Sequence, residues 1–136
     1  MGTVFADITL KNVKDIHKAD IGLITDDEIR QSTAKAIADT GAISLVINEE
    51  LQQELGLEIT GEREATFANN TKEMVKIAGL VEVHWKNRSM VCHPLVASAN
   101  GPVLLGAIPL EGMDLIVDPV RQELTGAHGD EIVYFL

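Results

Sequence analysis

Val4, Ala6, Ile8 and Leu10 alternate with Asp7, Thr9 and Lys11, a period of two that predicts an early strand with one buried face. The polar run from Lys11 to Asp20 breaks that alternation and reads as a loop. Beyond it the pattern is ambiguous. Thr25-Asp26-Asp27-Glu28 has the form of a capping box that opens a helix. Yet Ala34, Ala36 and Ala38 alternate with Lys35, Ile37 and Asp39 as a strand would, and periodicity alone leaves both readings open. Asn48 to Leu57 is plainer. Asn48 can cap a helix, Glu49 and Glu50 suit its positive end, Leu51 and Leu55 share a face, and Gly56 can take the left-handed stop.

The remainder is β-rich. Glu64 to Ala68 and Lys72 to Ile77 flank Asn69-Asn70, whose side chains tolerate the positive φ of a hairpin turn. Val81, Val83 and Trp85 alternate with Glu82 and His84, and Lys86-Asn87-Arg88 then turns the chain into a partner strand from Met90 to Val96. Val103 to Leu105, Leu115 to Val117 and the apolar run Ile132 to Leu136 complete the predicted strands. No tandem repeat, low-complexity segment or linker interrupts residues 1–136, so the pattern predicts one mainly β domain with one or two short helices.

Composition narrows the function classes. A chain of 136 residues with 46% apolar content can bury a core of its own, and with 4% aromatics that core is aliphatic. Twenty-one acids against 11 bases give a formal net charge of −10, which repels phosphate backbones and anionic headgroups. Neither nucleic acid nor a membrane is an expected partner. The start, Met1 to Leu10, has no basic and long apolar signal, and Ala6 stands where a myristoylation pattern wants Ser or Thr. The longest apolar run, Val103 to Leu110, is too short to span a bilayer. Cys92 is the only cysteine, which excludes a disulfide within the chain and fits a reducing, cytoplasmic setting.

The candidate chemistry is sparse. His84, His93 and Cys92 do not form the paired short spacings of a zinc site, so no metal or other cofactor is expected. Cys92 and His93 are strand neighbours that point to opposite faces, and Cys92 reads better as a small core residue. His17 and His128 lie in polar stretches and read as surface residues. Asp39 is different. In "IADTGAISLVI" (37–47) an acid sits among apolar residues, where an unpaired charge is costly. A second apolar run ending in glycine, Val103 to Ala107, follows downstream.

With "ADTGA" (38–42), the hairpin "FANNTKEM" (67–74) and "LLGAIPLEGMDLIVDP" (104–119), the sequence resembles the retropepsin-like aspartic proteases, single-domain enzymes of retroviruses and many bacteria. The likeness runs from about Ala34 to Leu124, and the "NEELQQELGL" segment places it nearer the bacterial soluble branch. The family implies a closed, barrel-like β fold with Ala34 to Ala38 as the strand that delivers Asp39. It implies that Asp39, Thr40 and Gly41 are catalytic, and that Ala42, Phe67, Ala68, Asn69, Asn70 and Thr71 contact substrate. Thr40 would brace the partner subunit's loop, Phe67 to Met74 would be a flap, and Gly106 and Ala107 would pack behind the catalytic loop.

One motif rather than two implies a homodimer whose two Asp39 carboxylates share a proton. Asp114 and Asp118 are the intrachain alternatives for that second carboxylate, although a turn and a strand end suit them better. The tip Asn69-Asn70 departs from the glycine-rich flap of the family, and the chain before Asp39 is longer than in compact viral enzymes. The expected function is therefore peptide-bond hydrolysis by an aspartic endopeptidase. The alternative is a peptide- or protein-binding module on the same fold.

Overall fold

A computed structural model describes residues 2–97 and 99–136. The chain opens with β1 (Phe5–Asn12), which buries Ala6, Ile8 and Leu10 as the alternation predicts, and Asn12 as well, where a loop was expected. It then forms a helix where a loop was expected, α1 (Val13–Asp20). The side chain of Asn12 caps it by accepting the Asp15 N–H at 3.1 Å, and Asn12 Nδ2 donates to the Leu55 carbonyl at 2.9 Å. The residue that α1 buries is Asp15, while Val13, Ile16 and Ala19 lie half-buried at every third position along one side. The capping box at Thr25 exists, but it closes only a single 3₁₀ turn, Asp26–Glu28. Arg30 then leads into β2 (Gln31–Ala38).

β3 (Leu45–Ile47) and α2 (Glu49–Glu54) follow. Asn48 caps α2 by accepting the Leu51 N–H at 2.8 Å, and Gly56 ends the segment at φ +63°. β4 (Ile59–Thr66) and β5 (Lys72–Ala78) form a long hairpin, with Asn70 at φ 65° in its tip. β6 (Val81–Trp85) and β7 (Arg88–Cys92) form a second one. The strand expected from Met90 to Val96 is cut at His93-Pro94, where proline offers no N–H to a ladder. β8 (Leu95–Val96) instead pairs with β3 and β5. β9 (Leu104–Leu105), α3 (Ala107–Gly112) and the hairpin of β10 (Leu115–Asp118) with β11 (Glu123–Gly126) complete the elements.

Nine strands form one sheet in the order β4-β5-β8-β3-β9-β2-β1-β6-β7. It curls into a half-barrel with β4 and β7 at its ends, and no pairing between those two strands closes the expected barrel among the described residues. Three short α-helices, rather than one or two, accompany it among the described residues. The core lies inside the curl. Ile8, Leu10, Leu45, Ile47, Val81, Val83 and Leu105 from the strands are buried in one cluster, which Leu55 after α2 and Met113 after α3 join.

The last apolar run is not a strand. Residues 132–136 are irregular, with Tyr134 and Phe135 exposed. Asp114 accepts the Val133 N–H at 3.1 Å, and Phe135 packs edge-on against the His128 ring at a centroid distance of 5.1 Å. An apolar composition asks for burial, but a strand also needs a backbone partner, and side chains take that role here. Among the described residues, no helix is long and apolar enough to cross a membrane.

Candidate active site

Asp39 follows β2 directly and begins the turn Asp39-Thr40-Gly41-Ala42. The Ala42 N–H closes the turn on the Asp39 carbonyl at 3.1 Å, and Asp39 Oδ1 accepts the Gly41 N–H at 2.9 Å. The carboxylate is half-buried rather than enclosed, and Gly41 is its one hydrogen-bond donor among the described residues. Thr40 is exposed, and its hydroxyl has no partner among the described residues.

The loop is held from behind. β9 lies between β2 and β3, parallel to the first and antiparallel to the second. The Asp39 N–H donates to the Leu105 carbonyl at 3.0 Å. At the start of α3, the Ala107 and Ile108 N–H groups donate to the Ala42 and Ile43 carbonyls, both at 2.8 Å. Helix-start N–H groups have no partner within their own helix, so the loop's carbonyls satisfy them and the two segments fix each other. Gly106 makes this approach possible. A Cβ there would stand 2.6 Å from the Ala42 carbonyl oxygen and nearer still to that of Ser44. The second motif thus clamps the first.

Phe67, Ala68, Asn69, Asn70 and Thr71 form the tip of the β4–β5 hairpin. The Phe67 N–H donates to the Thr71 carbonyl and the Asn70 N–H to the Phe67 carbonyl, each at 2.9 Å. Asn69 Oδ1 accepts the Thr71 N–H at 3.1 Å and its hydroxyl at 2.6 Å. Asparagine side chains thereby close a turn that glycine closes by conformational freedom. No hydrogen bond joins this tip to the Asp39 loop among the described residues.

Both rival carboxylates are occupied elsewhere. Asp114 accepts His128 Nδ1 at 2.8 Å and the Val133 N–H. Burial raises its pKa, but the Val133 amide, His128 and Arg88 outweigh that and hold it below the usual carboxylate value. Asp118 Oδ1 caps a turn through the Val120 and Arg121 N–H groups at 3.0 and 3.1 Å. Burial pushes the Cys92 thiol up to about 11, which leaves it protonated and a poor nucleophile at neutral pH. His93 Nδ1 lies 2.9 Å from the Ala78 carbonyl, and His84 Nε2 lies 2.5 Å from Glu82. Among the described residues, no three His, Cys, Asp or Glu side chains gather as a metal site.

Arg88, a turn residue by its place in the sequence, lies inside the molecule. Its guanidinium is buried and bridges the Met113, Asp114 and Gly129 carbonyls, and Nε has no partner among the described residues. An arginine after a turn carries no sign in sequence of whether it points outward or in.

No known family model matches the chain, and no curated protein matches it either. Among solved structures, the retroviral protease-like domain of Ddi1 from Leishmania major superposes with a TM-score of 0.55 at 14% identity. The alignment covers 92% of this chain and 88% of that one. The fold is retropepsin-like.

Proposed function

We propose that this chain is a single-domain aspartic endopeptidase that works as a homodimer, in which the Asp39 carboxylates of two copies meet across a twofold axis. The observation that carries the reading is the clamped loop: a half-buried carboxylate, with one internal donor, held by backbone bonds from β9 and α3. The retropepsin-like fold supports it. With Asp114 and Asp118 committed to other bonds, a second copy supplies the second carboxylate.

Amide hydrolysis needs a base for the attacking water and an acid for the amide. Two close carboxylates sharing one proton provide both, since like charges so near cannot both ionise. The ionised member takes a proton from water as oxygen attacks the carbonyl carbon. The protonated member gives its proton to the carbonyl oxygen. As the tetrahedral intermediate collapses, the first carboxyl gives the amine nitrogen the proton it took from water, the C–N bond breaks, and the second carboxylate takes back the proton from the former carbonyl oxygen, which restores the starting pair. The pair titrates as a unit.

In this scheme Thr40, exposed at the loop tip, braces the partner subunit's loop. Gly41 and Ala42 offer backbone to an extended peptide, and residues 67–71 close over it as a flap, adding bonds strand-fashion. The α2 segment between loop and flap supports placement with the bacterial soluble branch. The single half-buried Cys92 suits a reducing cytoplasm.

The test is cleavage of an unfolded protein substrate by wild type and Asp39→Asn between about pH 4 and 7. A loss of roughly 1,000-fold or more in the variant is the expected result. Equal cleavage by both proteins would overturn the reading.

A further inference from the structure

The β4–β5 hairpin has two faces of different chemistry, and its register separates them. Ala65 pairs with Glu73, and Arg63 with Val75. Alternation therefore places Glu73 on the face of Val75, which is buried against the body of the molecule. Phe67 and Thr71 close the turn opposite one another and extend that same face to the tip. Glu64, Met74 and Lys76 lie on the opposite, outward face, as does Lys72, which pairs with Glu64 at 3.9 Å. A recess on the hairpin tip is lined by Phe67, Ala68, Asn69, Thr71 and Glu73.

That recess joins an aromatic ring to an acid with no ion-pair partner among the described residues. Arg63 shares the face but turns back, donating Nη1 to the Glu62 carbonyl at 2.8 Å. Lys72, the nearest cation in sequence, is engaged on the other side. An acid and an aromatic ring lining one recess suit a cation on an apolar stem, by Coulomb attraction and by cation–π attraction together. The chain's net charge of −10 favours approach of such a group.

We propose that Glu73 and Phe67 form a specificity subsite under the flap that selects a lysine or arginine side chain of an extended peptide. This rests on the endopeptidase reading for the peptide groove, but binding tests it apart from cleavage. The probe is a set of fluorescent, unstructured decapeptides in which one lysine is moved through the sequence, each matched by a norleucine peptide. Anisotropy is measured with full-length Asp39→Asn, which keeps the peptides intact, and with Glu73→Gln and Phe67→Leu added to it.

The expected result is a lysine preference of roughly 5- to 20-fold at one or two positions, reduced by salt. Glu73→Gln should remove it and Phe67→Leu should weaken it. Lysine and norleucine peptides bound alike, peptides not bound at all, or a preference that survives Glu73→Gln would each overturn the subsite. Cleavage without the preference defeats this inference and leaves the endopeptidase standing. A Glu73-dependent preference without cleavage does the reverse.

Discussion

Asp15 shows how much a single buried carboxylate can organise. It is 3% exposed and accepts from the Arg30 backbone N–H at 3.0 Å, from Nε at 2.8 Å and from Nη2 at 3.0 Å. The Arg30 side-chain bonds, opposed by burial, hold its pKa below the ordinary carboxylate value, and Asp15 raises that of Arg30 in turn. Arg30 is the residue before β2, so the pair fixes where the strand that carries Asp39 begins. Because the folded-state pKa is the lower one, the stabilisation is complete above the unfolded value near 3.8 and disappears as pH falls through the folded value. Asp15→Ala should cost about 2 kcal/mol at neutral pH, toward the lower end for charged bonds because Arg30 is half-exposed and regains water. Urea titrations at decreasing pH should show wild type losing this advantage over the variant in the acid range. A difference that stays constant with pH would count against the assignment.

Among the elements, β9 and the start of α3 matter most, because they convert a turn into a rigid mount. Gly106→Ala should cost about 1–3 kcal/mol through overpacking against backbone that cannot step aside. It should also reduce any cleavage by more than the unfolded fraction explains, a comparison that a melting curve and a rate measurement settle together.

The elements also show what is legible in sequence. β1, α2, the β4–β5 hairpin and β6 are readable because each buries one apolar face at a regular spacing, or carries a cap or turn residue at its end, whereas the strand reading of β2 comes from the family resemblance and not from its spacing. α1 is hard to read because its buried residue is an acid and its three apolar positions, Val13, Ile16 and Ala19, stand among polar and charged neighbours. β8 is two residues long, and no periodic signal fits in so short a span, whereas β9, equally short, falls inside the apolar run Val103 to Leu105 that predicts a strand. The run 132–136 misled because composition reports a wish for burial and says nothing of whether a backbone partner is at hand. The Asp39 loop and the glycine behind it were legible as motifs. The buried Arg88 and the pairing of Arg30 with Asp15 were not, because polar contacts made across tens of residues leave no local pattern.

At the scale of the whole molecule, charge and assembly pull against each other. Two copies at −10 each repel, and the proposed dimer brings them together. Dimer affinity should therefore rise with ionic strength between about 0.05 and 0.5 M salt, because the repulsion is screened within a Debye length. Sedimentation equilibrium measures it, and a dimer that weakens with added salt would contradict the electrostatic picture.

The sheet order carries a consequence for biosynthesis. The strands on either side of the Asp39 loop do not pair with each other. β9, more than 60 residues downstream of Asp39, occupies the place between them. A nascent chain that has emerged as far as the flap already contains the acid, the hydroxyl and the glycine, yet has nothing to hold them in shape. The loop acquires its mount only when residues 104–108 leave the ribosome and insert. Until that insertion the Asp39 turn lacks the backbone partners that β9 and α3 give it.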